Sequence, residues 1–172
     1  MNKKILIIAV ILCVLAVSQA HSLGLGAQVN FYTGEEMFAP GISLLVSPSD
    51  ILHVAANWYI DKGKDNIVGL TFDICPLRFK LLGSEDSLFM NLTIGIGIYT
   101  NLMFINDSNN KFDTLIITGG LRAPVGVNLF FTKNLEIFTY VAPSFGVDFT
   151  PSFDLSPKPF FPVAIGARLW FK

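Results

Sequence analysis

The sequence has few cysteines, few charges and no long apolar segment beyond its first twenty residues. Only Cys13 and Cys75 occur among 172 residues, and 15% of the residues are charged, against about a quarter in an ordinary soluble domain. Cys13 lies in an N-terminal segment that we predict to be removed. The remaining chain can then form no internal disulfide and no site built on paired cysteines. The sparse charge indicates a surface that faces something other than water.

The first twenty residues are typical of a secretory signal peptide. Lys3 and Lys4 give a basic start, residues 5–17 are apolar, and Ser18-Gln19-Ala20 ends the segment on small residues. Thirteen apolar residues are short for a helix that spans a membrane. We predict cleavage after Ala20 and one barrel domain over residues 21–172. The mature chain would carry ten basic and thirteen acidic residues, and this balance gives no indication of nucleic-acid binding.

Alternation with period two recurs through the mature chain and predicts strands. From residue 89 to residue 101, for example, Leu92, Ile94 and Ile96 alternate with small or polar residues such as Thr93 and Gly95. Eight strands are predicted, at residues 23–32, 38–46, 52–61, 67–81, 89–101, 115–131, 135–149 and 161–171. A bulge is expected in the fourth, near Cys75-Pro76.

Polar, turn-forming segments separate the eight predicted strands. They lie at residues 33–36, 47–50, 62–65, 83–87, 106–113, 132–134 and 150–159. An even number of strands, joined by short turns at one end and by longer loops at the other, is typical of barrels in the bacterial outer membrane. We therefore predict an all-β, eight-stranded, antiparallel, up-and-down transmembrane barrel. The alternative is a secreted, lipocalin-like barrel that binds a ligand in an apolar cavity.

The polar face of the strands favours the membrane barrel. A soluble barrel needs many lysines and acids on its outside, but the polar face here is mostly Gly, Thr, Asn, Ser and Tyr. An eight-stranded barrel has an interior only wide enough for side chains or one small ligand. The aliphatic face is therefore expected to contact outer-membrane lipid. The ending Gly166, Leu169 and Phe171 resembles the C-terminal signal that the barrel-assembly machinery reads, which makes that machinery a predicted partner.

Five charged residues fall on the polar faces of the strands, and we expect them to form a network inside the barrel. They are Asp73, Arg122, Glu136, Asp148 and Arg168. Buried charges are costly unless they are paired, so the arginines should meet some of the carboxylates. The network predicts either a plug of side chains, which we favour, or the constriction of a narrow solute channel. The aromatics Tyr32, Trp58, Tyr59, Tyr99, Tyr140, Trp170 and Phe171 are expected either at the membrane interfaces or inside the lumen.

The outer loops are the predicted interaction surface. Its residues are Asn106, Asp107, Asn109, Asn110, Lys111, Asp154 and Lys158, and a host extracellular protein is the possible partner, as in an adhesin. We predict no enzyme, no cofactor and no metal site, because the usual catalytic and ligand motifs are missing. A lipid-modifying enzyme would have to rest on His53 with Ser43. The predicted function is a structural or surface-interaction barrel with a plugged lumen.

Three short segments carry a resemblance to a known family. Residues 121–127, read as Leu-Arg-Ala-Pro-Val-Gly-Val, together with residues 134–138 and 141–144, resemble a hairpin of small spirochaete outer-membrane barrels of unassigned function. The overall pattern resembles the eight-stranded barrels of the OmpX and OmpA type. The resemblance implies a barrel in the bacterial outer membrane, and some relatives in the group are implicated in binding host matrix or complement proteins.

Overall fold

A computed structural model describes residues 22–33, 38–60, 66–83, 88–106, 112–150 and 154–171. The strands are β1 (Leu23–Thr33), β2 (Phe38–Ser47), β3 (Leu52–Ile60), β4 (Asn66–Gly83), β5 (Phe89–Asn106), β6 (Phe112–Arg122), β7 (Val125–Phe130), β8 (Leu135–Val141), β9 (Ser144–Asp148), β10 (Asp154–Phe160) and β11 (Val163–Phe171). Within these ranges no helix is both long and apolar enough to cross a membrane. The predicted signal peptide lies outside them.

All eleven strands belong to one antiparallel sheet that closes on itself. β1 pairs with β2 on one side and with β11 on the other, from Leu23 opposite Phe171 to Phe31 opposite Val163. β6 and β7 both pair with β5 and together form one wall strand. β8 continues into β9, and β10 into β11, in the same way. The result is the predicted eight-stranded up-and-down barrel, in which closure leaves the body of the sheet without free edges.

Prolines divide three neighbouring wall strands. Pro124, Pro143 and Pro162 stand at the breaks between β6 and β7, β8 and β9, and β10 and β11. Proline has no amide hydrogen to give to the ladder, but its carbonyl still accepts. The amides of Ala123 and Ala142 donate to the carbonyls of Pro143 and Pro162, both at 2.9 Å. The breaks therefore stay bonded across the barrel wall.

The apolar side of each strand faces outward. Leu44 is 72% exposed and Ile96 is 61% exposed, whereas Asn30 and Ser43, on polar sides of their strands, are 1% and 4% exposed. Because side chains alternate along a strand, the direction of one side chain determines which of its neighbours face outward and which face the lumen. The prediction that the aliphatic face points away from the lumen is confirmed.

The largest differences from the predicted strand bounds lie at the end of β5 and in residues 150–159. β5 runs on to Asn106, and the predicted loop at residues 150–159 is largely strand, because β10 covers Asp154–Phe160. The prediction of a loop at residues 150–159 was wrong. Three prolines in the segment indicated a loop, but the backbone pairs with β9 through Lys158 opposite Gly146 and Pro159 opposite Phe145. The predicted bulge near Cys75-Pro76 is confirmed by a register shift between Ile74 and Leu77.

Candidate functional site in the barrel lumen

An ion pair inside the barrel joins β4 to β6, which lie on either side of β5. Arg122 Nε lies 3.1 Å from Asp73 Oδ1, and both side chains are almost fully buried. Gly97 of β5 stands between the two strands, opposite both residues in the register. The guanidinium also lies over the ring of Tyr140, 5.5 Å from its centroid. A glycine at position 97 leaves the space in which the two charges meet.

A second ion pair lies nearer the end of the barrel that holds the termini. Arg168 of β11 and Glu136 of β8 are directly opposite in the register, with Nη1 3.4 Å from Oε2. Trp170 Nε1 donates to the same oxygen at 2.6 Å, and Asn128 donates to the other. Arg168 stacks over Phe138 at 4.8 Å. Glu136 is fully buried, so these partners must offset the cost of removing its carboxylate from water.

His53 extends this second cluster toward β2. Its Nδ1 lies 3.2 Å from Arg168 Nη1 and 2.9 Å from Ser47 Oγ. Because an arginine can only donate, Nδ1 accepts in that contact. The Ser-His contact involves Ser47, whereas Ser43 bonds to Asn30 and Asn57. The His53–Ser43 arrangement considered for a lipid-modifying enzyme is therefore not formed.

Amide and hydroxyl groups form a middle layer above these charges. Asn30 donates to Ser43, and Ser43 Oγ donates to Asn57 Oδ1 at 2.6 Å. Gln28 Nε2 donates to the Tyr140 hydroxyl at 2.7 Å. The three strands β1, β2 and β3 are thus tied to one another, and β1 to β8, by short polar side chains inside the barrel. Such bonds offset the cost of burying polar groups.

Aromatic rings fill the outer end of the lumen. The rings of Tyr32 and Phe160 stack with centroids 4.7 Å apart, and Tyr99 meets Phe160 edge to face at 4.9 Å. Tyr59 contacts Tyr32 at 5.6 Å. Ile67 is fully buried beside them. Offset and edge-to-face contacts of this kind pack rings densely, so this end of the lumen is closed by apolar surface.

The cavity that remains beside the charges is small. It has a volume of about 40 Å³ and is lined by residues that include His53, Asp73, Tyr140 and Arg168. A water needs about 10–15 Å³ by the same measure, so the cavity holds a few waters at most. Among the described residues no group of three or more His, Cys, Asp or Glu side chains is placed to hold a metal ion.

The predicted site residues are distributed as follows. Four of the five lumen residues form the two ion pairs, and the fifth, Asp148, accepts a bond from Thr118 Oγ1 at 2.7 Å. Five of the seven aromatics, namely Tyr32, Tyr59, Tyr99, Tyr140 and Trp170, contact groups inside the barrel. Trp58 and Phe171 face outward, at 47% and 56% exposure, and so does Leu169.

The predicted outer-loop surface is only partly described. Asp107, Asn109, Asn110 and Lys111 lie outside the described residues. Asn106 is the last residue of β5, and Asp154 and Lys158 belong to β10 instead of a loop. The backbone positions of these three residues are known; the interaction surface itself stays a prediction.

The inward-facing glycines contribute to the site by leaving space for larger side chains, and the sequence analysis did not identify them. A Cβ at Gly24 would lie 2.7 Å from Arg168 Cδ, one at Gly41 would lie 2.6 Å from Tyr59 Cδ1, and one at Gly166 would lie 2.6 Å from Phe138 Cζ. Gly97 has the same relation to Asp73. In these four cases an inward side chain lies over a glycine of a neighbouring strand. The signal was available in the sequence, as glycines on the polar face of strands rich in large residues.

Comparisons with known proteins agree with this fold. The N-terminal β-barrel domain of Pseudomonas aeruginosa OprF is 15% identical, with 87% of this chain and 97% of that chain covered and a TM-score of 0.54. Neisserial surface protein A is 13% identical over 88% and 96% of the two chains, with a TM-score of 0.45. Ail of Yersinia pestis is 10% identical over 87% and 97%, at 0.43. At such identities the likeness to OprF shows the fold alone.

A family model also matches the sequence. It is described as "Protein of unknown function (DUF3996)" and covers residues 73–166, more than half of the chain. The match begins at Asp73 of the first ion pair, includes Arg122 and Glu136, and ends two residues before Arg168. No curated protein matches the chain.

Proposed function

The chain belongs to the DUF3996 family of unknown function, and we propose from its lumen that it is an integral outer-membrane barrel with a closed interior, with a structural or surface-interaction role. The observation that carries the proposal is the lumen itself. Two buried ion pairs, Arg122 with Asp73 and Arg168 with Glu136, lie inside it, and an aromatic layer fills its outer end. We propose neither an open channel nor an enzyme.

The outward face supports the membrane part of the proposal. Aliphatic and aromatic residues from most wall strands are exposed together, among them Ile42, Leu70, Ile98, Leu121 and Ile165, each more than half exposed. Soluble monomers rarely expose contiguous apolar patches beyond a few hundred Å². A closed barrel satisfies its backbone within the wall, as a strand in lipid must. The outer membrane of a bacterium is the membrane in which such barrels occur.

Heat modifiability tests the membrane barrel. The mature protein, refolded into detergent micelles, is expected to run faster on a gel unboiled than boiled, and to show a β-type circular dichroism spectrum. A closed hydrogen-bonded wall resists the detergent until it is heated, which is why the two bands differ. A single band from a protein that stays in solution without detergent would contradict the proposal and favour the secreted, ligand-binding barrel.

Planar-bilayer recording tests the closed lumen. We expect no stepwise conductance in 1 M KCl at up to about 100 mV, because the cavity beside the ion pairs holds only a few waters. A large porin in the same bilayers is the positive control. Uniform, repeatable conductance steps would contradict the plug and would indicate that the charged network is the constriction of a narrow solute channel.

The outward face can also be tested by one charge. Leu44→Arg, at the middle of β2 and 72% exposed, is expected to lower the free energy of unfolding in lipid vesicles by about 2 kcal/mol, the cost of an arginine in the apolar band. Leu88→Arg, just before β5 and 52% exposed, is the matched control and should cost below about 1 kcal/mol. Equal, negligible costs at both positions would indicate a water-facing surface.

The surface role rests on the outer loops. Replacement of residues 107–111 by a two-residue Asn-Gly turn, the shortest common hairpin connection, should leave the heat shift intact, because the replaced residues lie between β5 and β6. It should abolish any binding that whole cells show toward a host protein. Delivery by the signal peptide and recognition of Gly166, Leu169 and Phe171 by the barrel-assembly machinery belong to the same proposal. Their support is the sequence pattern.

A further inference from the structure

One edge of β4 lies beside no described strand over its last seven residues. β3 begins at Leu52, opposite Ile74 of β4, and the next backbone bond in that direction joins the Cys75 amide to the Ile51 carbonyl at 2.7 Å. β4 nevertheless continues to Gly83, paired with β5 alone. We call residues 77–83, on the side away from β5, the open edge. A strand edge without a neighbouring strand presents a row of backbone amide and carbonyl groups that can bond to another chain.

The open edge belongs to a hairpin that projects past the closed wall. Along β4, buried and exposed residues alternate up to Cys75; beyond it every residue to Gly83 is exposed except Arg78, which is half-buried. Leu77 is 51% exposed and Leu82 is 65% exposed. Both faces of this end of β4 can therefore be reached from outside the barrel.

The hairpin is held in place from its other side. β5 pairs with β7 from Phe89 opposite Phe130 to Ile94 opposite Val125, and the rings of Phe89 and Phe130 stack with centroids 4.4 Å apart. Arg78 is anchored to the turn between β2 and β3 through Asp50, with Nη1 3.0 Å from Oδ2. The open edge is thus presented on a three-stranded support, so a partner strand would not have to order it.

We propose that the open edge is a strand-addition site, which takes an extended peptide segment of another protein that is apolar on its outward face and acidic on its lumen-side face. The register assigns the faces: Leu77, Phe79 and Leu82 lie opposite Ile94, Leu92 and Met90. Arg78 and Lys80 lie opposite Thr93 and Asn91, on the other face. Backbone bonds supply the affinity in such additions, and alternate side chains supply the specificity.

Charge argues against a second copy of this chain as the occupant. Two open edges paired with each other would bring the Arg78 and Lys80 side chains of both copies to one face, and like charges on directly opposed residues destabilise a strand pair. The edge also carries features that discourage unselective pairing, since Pro76 precedes it and the register shifts between Lys80 and Leu82. Arg78 already has Asp50 as its counter-charge, and an acidic partner adds one for Lys80, which a neutral or basic partner does not.

The test uses a fluorescent peptide of alternating Val and Glu, nine residues long, and the mature barrel refolded into detergent micelles. Binding is measured by fluorescence anisotropy. We expect saturable binding that weakens at least about tenfold when the peptide alternates Val and Lys, because a tenfold change corresponds to about 1.4 kcal/mol. Two further peptides are N-methylated at alternate residues, one at the odd positions and one at the even positions. One of them should lose binding and the other should keep it, because a strand bonds to the edge through every second amide.

Lys80→Glu is the matched variant of the protein. Its side chain is exposed, so the heat shift should be kept, while the preference moves from the Val-Glu peptide toward the Val-Lys peptide. The proposal would be overturned if the Val-Glu peptide showed no saturable binding, if neither N-methylated peptide bound more weakly than the parent, or if Lys80→Glu left the preference unaltered. Binding that persists in both N-methylated peptides would indicate partition of the peptide into micelles. The heat shift separates this failure from a failure of the barrel itself, since an intact barrel can still lack the site.

Discussion

Glu136→Leu is expected to lower the free energy of unfolding by about 3–5 kcal/mol, the range found when one partner of a buried ion pair is removed. Glu136 is fully buried and accepts from Arg168, Trp170 and Asn128. Its loss leaves the Arg168 guanidinium without its carboxylate and takes the acceptor from the Trp170 indole. Urea unfolding in detergent micelles, followed by circular dichroism and by the fluorescence of Trp58 and Trp170, measures the change.

Two further variants separate charge from packing at this position. Glu136→Gln keeps the side-chain volume and one carbonyl acceptor, so it should cost clearly less than Glu136→Leu. The double variant Glu136→Leu with Arg168→Met removes both charges and should recover most of the loss, since a buried pair replaced by apolar groups is often neutral. Losses that simply add in the double variant would mean that the two residues are not coupled.

The wall of the barrel could be predicted from the sequence because alternation is a local property. A strand with one apolar face and one small or polar face shows in its own sequence which side chains belong on the lipid side, as at Leu92 to Ile96. The outcome for β10 shows the limit of such reasoning. Pro157 and Pro159 favour a loop by local propensity, but antiparallel pairing with the preceding strand β9 decides the backbone there.

The lumen contacts could be predicted only as a set. The sequence indicates that Arg122 and Arg168 require carboxylates, but partners depend on which residues the register brings together. Arg168 meets Glu136 because β8 and β11 become neighbours once the barrel closes. Asp73 reaches Arg122 across an intervening strand, over Gly97. No spacing along the chain contains that information.

The tyrosines illustrate the same limit. A tyrosine suits both a membrane interface and a narrow lumen, because it has an apolar ring and a polar tip. Its strand face resolves the choice, and for Tyr32, Tyr59 and Tyr99 that face is the inner one. Trp58, next to Tyr59 in the chain, points the other way for the same reason.

Gly97→Ala is expected to cost about 3 kcal/mol or more, although it adds a single methyl group. The new Cβ would lie 2.6 Å from the Phe72 carbonyl oxygen and 3.0 Å from Asp73 Cγ, and closer still to the Asp73 carboxylate oxygen that faces Arg122. Overpacking of this kind typically costs about 1–3 kcal/mol. Displacement of the carboxylate adds the cost of separating a buried pair. Urea unfolding in micelles measures the sum.

Gly119→Ala on the adjacent strand is the control for any general effect of glycine replacement. A Cβ there would meet Phe149 Cε2 at 3.0 Å, the far end of a side chain that can move, and the Tyr99 carbonyl oxygen only at 3.4 Å. Its cost should stay below about 1 kcal/mol, as is usual away from packed or paired groups. If the two alanines cost the same, the space at Gly97 would not be what allows Asp73 and Arg122 to meet. The pairing would then have to depend on the flanking strands alone.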